Sequence, residues 1–154
     1  METSVIMILI RDMHADDVFE VMRIERECFH EPWAEMHFYF ELYTKTSYNW
    51  VLLLEDKIKA YICFWMILDE MHLNNIAVEK AFRQKGLAQK MLDKMIEFAK
   101  GNKASFITLE VNENNINAIA FYKKNGFEQV GRRLKYYQYD GADALIMTME
   151  MGKK

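Results

Sequence analysis

A chain of 154 residues with 51% hydrophobic side chains is long and apolar enough for one domain with its own core. Its formal charge of -3 excludes a broad basic footprint for nucleic acid, so any phosphate site must be local. Two cysteines, Cys28 and Cys63, without paired spacing exclude a disulfide framework or a zinc finger, and the apolar run Ala60 to Leu68 is too short to span a bilayer. With no basic region ahead of a hydrophobic one at the N-terminus, the expectation is a single cytoplasmic domain over residues 1–154.

Val5 to Ile10 reads as a short first strand that Arg11-Asp12 ends. Asp16 or Asp17 is then placed to cap a helix that carries Val18, Val21, Met22 and Ile24 inward and runs to about Cys28. Pro32 starts a second helix from Trp33 to about Tyr43, too densely aromatic for a solvent-facing helix and suited to lining a cleft. Trp50 to Leu54, Ile58 to Leu68 and Met71 to Val78 follow as three strands on hairpin-length connections. Apolar residues recurring at three and four from Gly86 to Lys100 predict an amphipathic helix, with Gly101 as its left-handed cap. Ser105 to Val111 is a fifth strand, Asn117 to Lys124 a helix stopped by Asn125-Gly126, and Phe127 to Lys135 and Ala144 to Met151 are closing strands. The pattern is α+β, and its one βαβ unit makes the fourth and fifth strands parallel in a mostly antiparallel seven-stranded sheet flanked by four helices.

Between the fourth strand and its helix lies Arg83-Gln84-Lys85-Gly86-Leu87-Ala88, followed by Gln89. A turn feeding a helix exposes unpaired backbone N–H groups at the positive end of the macrodipole, and a glycine lets a ligand approach the backbone. A pyrophosphate fits such a turn, with Arg83 and Lys85 as flanking cations; a basic turn with a structural glycine is the plainer alternative. The context after Asn-Ile-Ala-Val and before a strong helix favours the former. A dinucleotide fold is excluded, because no G-x-G-x-x-G follows a strand.

These segments together resemble the GNAT superfamily of acetyl-CoA-dependent N-acetyltransferases, close to its RimI-type branch, which acetylates protein N-termini. The residues that carry the resemblance are Leu68 to Glu70, Asn75 to Val78, Arg83 to Ala88, Leu109 to Val111, Asn115, Ala118, Phe121-Tyr122 and Gly126-Phe127. Pro32-Trp33, Arg132-Arg133, Tyr136-Tyr137 and Asp143-Ala144 extend it over nearly the whole chain. It implies a sheet splayed between strands four and five, where the pantetheine arm of acetyl-CoA pairs with Ile76, Ala77 and Val78. It also implies that Gln84, Lys85, Gly86, Leu87, Ala88 and Gln89 supply amides to the pyrophosphate, and that Asn115 bonds the pantetheine arm. Backbone N–H at Val78 would polarise the thioester carbonyl.

Acyl transfer to an amine needs a neutral amine, stabilisation of the oxyanion and a proton for the departing thiolate. The α-amino group, with an unperturbed pKa of about 7.7–8.0 against about 10.4 for lysine, needs only a modest base near neutral pH. Glu110 is the candidate base, acting through a water, with its pKa expected to rise by desolvation beside apolar neighbours. Tyr122 matches the family's general acid. Taken alone, Glu110 also reads as an exposed strand carboxylate and Tyr122 as a packing aromatic; their sequence contexts join them.

The resemblance places the peptide between the loop Phe29 to Trp33, including Pro32, and the hairpin Tyr136 to Tyr139, where Tyr136 and Tyr137 would wall the pocket for its first residue. Lys135 and Gln138 stand where the bacterial pattern has Asn and Pro around the paired tyrosines, and Cys28 to Glu31, the loop before Pro32-Trp33, also departs from it. A broader archaeal type that accepts small or Met-initiated termini therefore fits as well as a dedicated ribosomal-protein enzyme. Acetylation of lysine or a small amine, or a non-catalytic acyl-CoA-binding subunit, are the alternatives, and an auxiliary subunit is a further partner to consider. His30, His37 and His72 lack ligand spacing, so no metal is expected; His72, two residues from Glu70, is placed for a supporting role near the amine. Arg132-Arg133 reads as a solvated strand end.

Overall fold

The computed structural model describes residues 6–152. Its elements are β1 (Ile8–Asp12), α1 (Val18–Cys28), α2 (Glu35–Leu42), β2 (Ser47–Leu54), β3 (Lys57–Ile67), β4 (Glu70–Val78), α3 (Leu87–Gly101), β5 (Phe106–Asn112), α4 (Ile116–Lys124), β6 (Glu128–Arg133) and β7 (Ala144–Glu150). The strands form one sheet in the order β1-β2-β3-β4-β5-β7-β6, a mixed α/β arrangement. β4 and β5 are parallel, with Glu70, Met71 and His72 opposite Phe106, Ile107 and Thr108. Both strands run on beyond that short register. β1 with β2, β5 with β7 and β6 with β7 pair antiparallel.

By contact the described residues divide into two compact units: those up to Phe64 with Asn75–Met95, and Trp65–Asn74 with those from Ile96 onward. The first unit has a core of Val18, Val21, Met22 and Ile24 from α1, Phe38 from α2, and Val51, Tyr61, Cys63 and Ala77 from the strands. The predicted inward stripe of α1 is thus the buried one, as its three-and-four spacing requires. The β2–β3 turn places both Glu55 (φ 50°) and Asp56 (φ 67°) in the left-handed region, which is the twist a two-residue hairpin favours.

In the second unit β5 alternates from Phe106 to Val111. Ile107, Leu109 and Val111 are buried, while Phe106, Thr108 and Glu110 lie on the opposite, partly open face. α4 ends as predicted, at Gly126 (φ 97°): the Phe127 amide donates to Tyr122 O at 3.0 Å and the Gly126 amide to Lys123 O at 3.1 Å, a Schellman closure.

Several boundaries differ from the sequence expectation, among them the start of β2 at Ser47 and the end of β6 at Arg133, and four departures have a visible cause. Val5 lies outside the described residues, and Arg11 and Asp12 belong to β1, opposite Val51 and Trp50, because Arg11 finds Asp17 at 2.7 Å and can stay extended. Asp17 stands at the α1 N-cap without a side-chain cap bond, since its carboxylate accepts from Arg11 and from the His14 amide instead. α2 begins at Glu35 rather than Trp33, because the Trp33 amide is held outside the helix by Glu25 at 2.8 Å. Gly101 is still helical; the left-handed residue is Lys103 (φ 58°), with the Ala104 amide donating to Ala99 O at 2.9 Å. The expected cleft at α2 is an open apolar concavity of about 380 Å³ walled by Met36, Tyr39, Phe40, Tyr43 and Thr44.

Phe38 is 1% exposed at the centre of the first unit's core. Phe38→Ala is expected to cost about 3–5 kcal/mol of stability through lost burial and the cavity left behind, read from the midpoint of urea unfolding.

Candidate active site

Glu110 owes its position to the alternation of β5, which buries its neighbours and turns its carboxylate to the other face of the sheet. On that face, within the second unit, His72 of β4 lies opposite Thr108 and diagonal to Glu110. The His72 Nε2 is 2.6 Å from Glu110 Oε2, and Arg133 Nε is 3.3 Å from Oε1. His72 Nδ1 meets Asn74 Oδ1, so both ring nitrogens face acceptors, as in a protonated imidazole. The side chains of Glu110 and His72 are 17% and 30% exposed, leaving the pair within reach of solvent and of a substrate.

These contacts reverse one expectation. The Glu110 pKa is lowered rather than raised: the His72 hydrogen bond outweighs desolvation, and the charges of His72 and Arg133 add to it. His72 responds in the other direction. Burial pulls its pKa down, but the bond to and charge of Glu110, with the bond to Asn74, outweigh burial and raise it. Arg133 therefore pairs with the candidate base instead of being merely a solvated strand end, while Arg132 engages Glu113 and Asp143. Beside the pair is an open pocket of about 210 Å³ lined by Trp65, Ile67, Glu70, Met71, His72, Phe106 and Thr108.

Tyr122, also in the second unit, is 8% exposed and packs its ring 5.6 Å from Phe127 and 5.4 Å from Phe121. Burial pushes its hydroxyl well above the ordinary tyrosine range, so it keeps its proton at neutral pH. Asn115 is the N-cap of α4, with its side-chain oxygen accepting from the Ala118 amide at 3.2 Å. Tyr136 and Tyr137 form an edge-to-face pair at 5.0 Å, Tyr136 half exposed and Tyr137 more sheltered. Their loop is tied to the end of β5, because Asn112 Nδ2 donates to Tyr139 Oη at 3.0 Å and to Asp140 at 3.1 Å.

The first unit holds the remaining predicted residues. Ala77 and Val78 are buried and Ile76 is partly so. The Val78 carbonyl accepts from Arg83 Nε at 3.3 Å and faces Cys28 Sγ at 3.4 Å, so the Arg83 guanidinium is turned back onto protein, with Nη2 3.0 Å from Cys28 Sγ. Gln84 (φ 62°) and Gly86 (φ 78°) both take left-handed backbone, and a Cβ built on Gly86 meets nothing within 4 Å. Leu87, Ala88 and Gln89 form the first turn of α3, whose amides point out of the helix end, and Lys85 is exposed beside them. An open turn of this kind, with outward amides and space over the glycine, fits a phosphate-bearing group.

On the substrate side, Pro32 is exposed while Phe29 and Trp33 pack against the first core, and the Trp33 ring stacks on His37 at 3.9 Å. Glu25, 1% exposed, holds the Trp33 amide and accepts from Tyr61 Oη and Asn75 Nδ2. Neither Glu25 nor Tyr61 stands out in the sequence. The one available signal was a glutamate inside the buried stripe of α1, next to Ile24.

Residues 18–127 match the Acetyltransferase (GNAT) family. The chain is 31% identical over 135 residues, 86% of this chain and 90% of the other, to the [ribosomal protein bS18]-alanine N-acetyltransferase of Salmonella typhimurium. It superposes with a TM-score of 0.90 on the crystal structure of the ribosomal-protein-S18-alanine N-acetyltransferase from Escherichia coli, at 28% identity over 96% of each chain. Ard1 from Thermoplasma volcanium shares the fold, with a TM-score of 0.87 at 22% identity over 95% of this chain and 99% of that one.

The coupling of His72 to Glu110 has a direct signature. An NMR titration of the imidazole should place the His72 pKa above 6.5 in the wild type and lower it in Glu110→Gln, because the raising contacts are lost while burial stays. An unchanged His72 titration in the variant contradicts the coupling.

Proposed function

We propose, for a chain that belongs to the Acetyltransferase (GNAT) family, that it transfers the acetyl group of acetyl-CoA to the α-amino group of protein N-termini. The chain is an N-acetyltransferase of that family, whose members use acetyl-CoA. The relatives named for the N-terminal alanine of ribosomal protein bS18 support a protein N-terminus with a small first residue as substrate. It acts in the cytoplasm as a single domain over residues 1–154, without nucleic acid or membrane as partner. Among the described residues no helix is long and apolar enough to cross a membrane.

Acetyl-CoA, when bound, supplies an electrophilic thioester carbonyl and a thiolate leaving group. Ile76, Ala77 and Val78 would hold its pantetheine arm through their backbone, assisted by Asn115. The turn from Arg83 to Gln89 would hold its pyrophosphate, with Lys85 as the exposed cation.

The observation that carries the chemistry is the His72–Glu110 pair. The amine, with a pKa of about 7.7–8.0, must lose a proton before it attacks. A carboxylate held below its ordinary range is alone a weak acceptor. Joined to an imidazole raised above 6.5, it belongs to a pair whose proton affinity lies closer to that of the amine. The pair that accepts is the one lacking the proton shared between His72 Nε2 and Glu110 Oε2: Glu110 takes the amine proton through a water and hands it to Nε2, restoring the 2.6 Å contact, while Arg133 keeps the carboxylate in place. Tyr122 retains its proton through burial and gives it to the departing thiolate. Tyr136 and Tyr137, with Phe29, Pro32 and Trp33, orient the peptide.

Glu110→Gln and Tyr122→Phe should each lower kcat by about a hundredfold or more, with acetyl-CoA binding measured by calorimetry nearly unchanged. Wild-type turnover in both variants sinks the assignment. On a peptide panel read as thiol release, free N-termini, alanine first among them, should be acetylated and blocked peptides with an internal lysine should not. Acetylation of lysine alone would remove the α-amino reading.

A further inference from the structure

Glu25 is a carboxylate sealed in the first core, and none of the chemistry above uses it. Burying a charge this completely costs several kcal/mol unless hydrogen bonds compensate, and a leucine or methionine would fill the space without that cost. The bonds are present and have distinct destinations. Oε1 accepts from Tyr61 Oη of β3 and from Asn75 Nδ2 of β4 at 2.6 Å, and Asn75 Nδ2 also lies 3.3 Å from Tyr61 Oη. Oε2 accepts the backbone amide of Trp33 at 2.8 Å.

One side chain near the end of α1 thus fastens two neighbouring strands and the loop that precedes α2. That last bond delays the start of α2 to Glu35 and leaves Pro32 exposed at the loop's surface. The Trp33 ring is fixed independently, stacked on His37 at 3.9 Å and tilted against Phe38 at 5.2 Å. Backbone and ring of the same residue are therefore both immobilised. The strand end of the clamp, Asn75, immediately precedes Ile76, the first residue assigned to the acetyl donor.

We propose that Glu25 is a positioning residue which, through the Trp33 amide, sets the Phe29 to Trp33 loop for the first residue of the acceptor peptide and so governs which first residues are accepted. The proposal rests on the peptide-acceptor reading of this loop. Tyr61 and Asn75 act with Glu25 by fixing its other oxygen. None of the three touches the reacting atoms.

Glu25→Gln replaces one acceptor oxygen by a donor: turned to one side its NH₂ faces the Trp33 N–H, and turned to the other it faces Asn75 Nδ2 as that amide now stands. The expected result is a peptide KM raised about tenfold, the loss of one buried hydrogen bond, with preference among first residues relaxed. The kcat and the acetyl-CoA KM should stay within about twofold of wild type, the readouts a merely structural defect would also move. Hydrogen exchange of the Trp33 amide, followed by NMR, should quicken in parallel. Asn75→Asp added to Glu25→Gln places an acceptor opposite the new amide and should recover most of the peptide KM and of the Trp33 protection. Unchanged peptide KM in Glu25→Gln despite faster Trp33 exchange overturns the proposal. So does a joint fall of kcat, both KM-based efficiencies and Tm that the double variant does not restore. A wild-type chain that acetylates no peptide N-terminus overturns the acceptor reading itself, and this is seen before any variant is made.

Discussion

The hydrogen bond between His72 and Glu110 decides what the candidate active site can do. It requires β4 and β5 to run parallel with His72 beside Thr108, so that Glu110, two residues further on, is within reach of the imidazole. A slip of one residue in either strand would turn one partner to the opposite face and bury a charge among Leu109, Val111 and Met71. The apolar pattern of β5 therefore fixes the register, and the register brings His72 and Glu110 together. Packing and chemistry are here the same constraint read on two faces of one strand.

Most of the element order could be read from the sequence because periodicity and stop signals are local. The alternation of Ile107, Leu109 and Val111 and the Asn125-Gly126 stop predicted β5 and the end of α4 without reference to anything distant. Three of the errors share one cause. The start of α2, the role of Asp17 and the extent of β1 were all decided by side chains that reach backbone or charge many positions away, such as Glu25 to Trp33 and Arg11 to Asp17. The predicted ending at Gly101 failed differently, since helix geometry let the chain continue to Lys103, a residue that rarely takes left-handed backbone.

The same distinction governs the site. The resemblance of short segments to the GNAT superfamily made Glu110 and Tyr122 candidates, and the strand–turn–helix context did the same for the turn from Arg83 to Ala88. Neither gave access to the sign of the Glu110 shift. Burial raises a carboxylate pKa and a cation lowers it; which dominates depends on whether His72 and Arg133 arrive, and both come from other strands. Arg133 looked solvated because its own neighbours along β6 are exposed.

Glu25 and Glu110 make the point in one molecule. Glu25 is nearly sealed from solvent and its hydrogen-bond partners are neutral, a phenol, an amide side chain and a backbone N–H, so desolvation outweighs them and the His37 charge and its pKa is raised. Glu110 is less buried and meets an imidazole and a guanidinium, so its pKa is lowered. A carboxylate surrounded by neutral donors is suited to holding backbone in place, because its bonds are directional and it is shut off from solvent. A carboxylate shared with a titrating imidazole at a solvent-accessible face is suited to moving protons. Identical side chains are held in opposite ways because of what the fold brings to them, one fastened by neutral donors to a loop and two strands, the other bonded to an imidazole and a guanidinium.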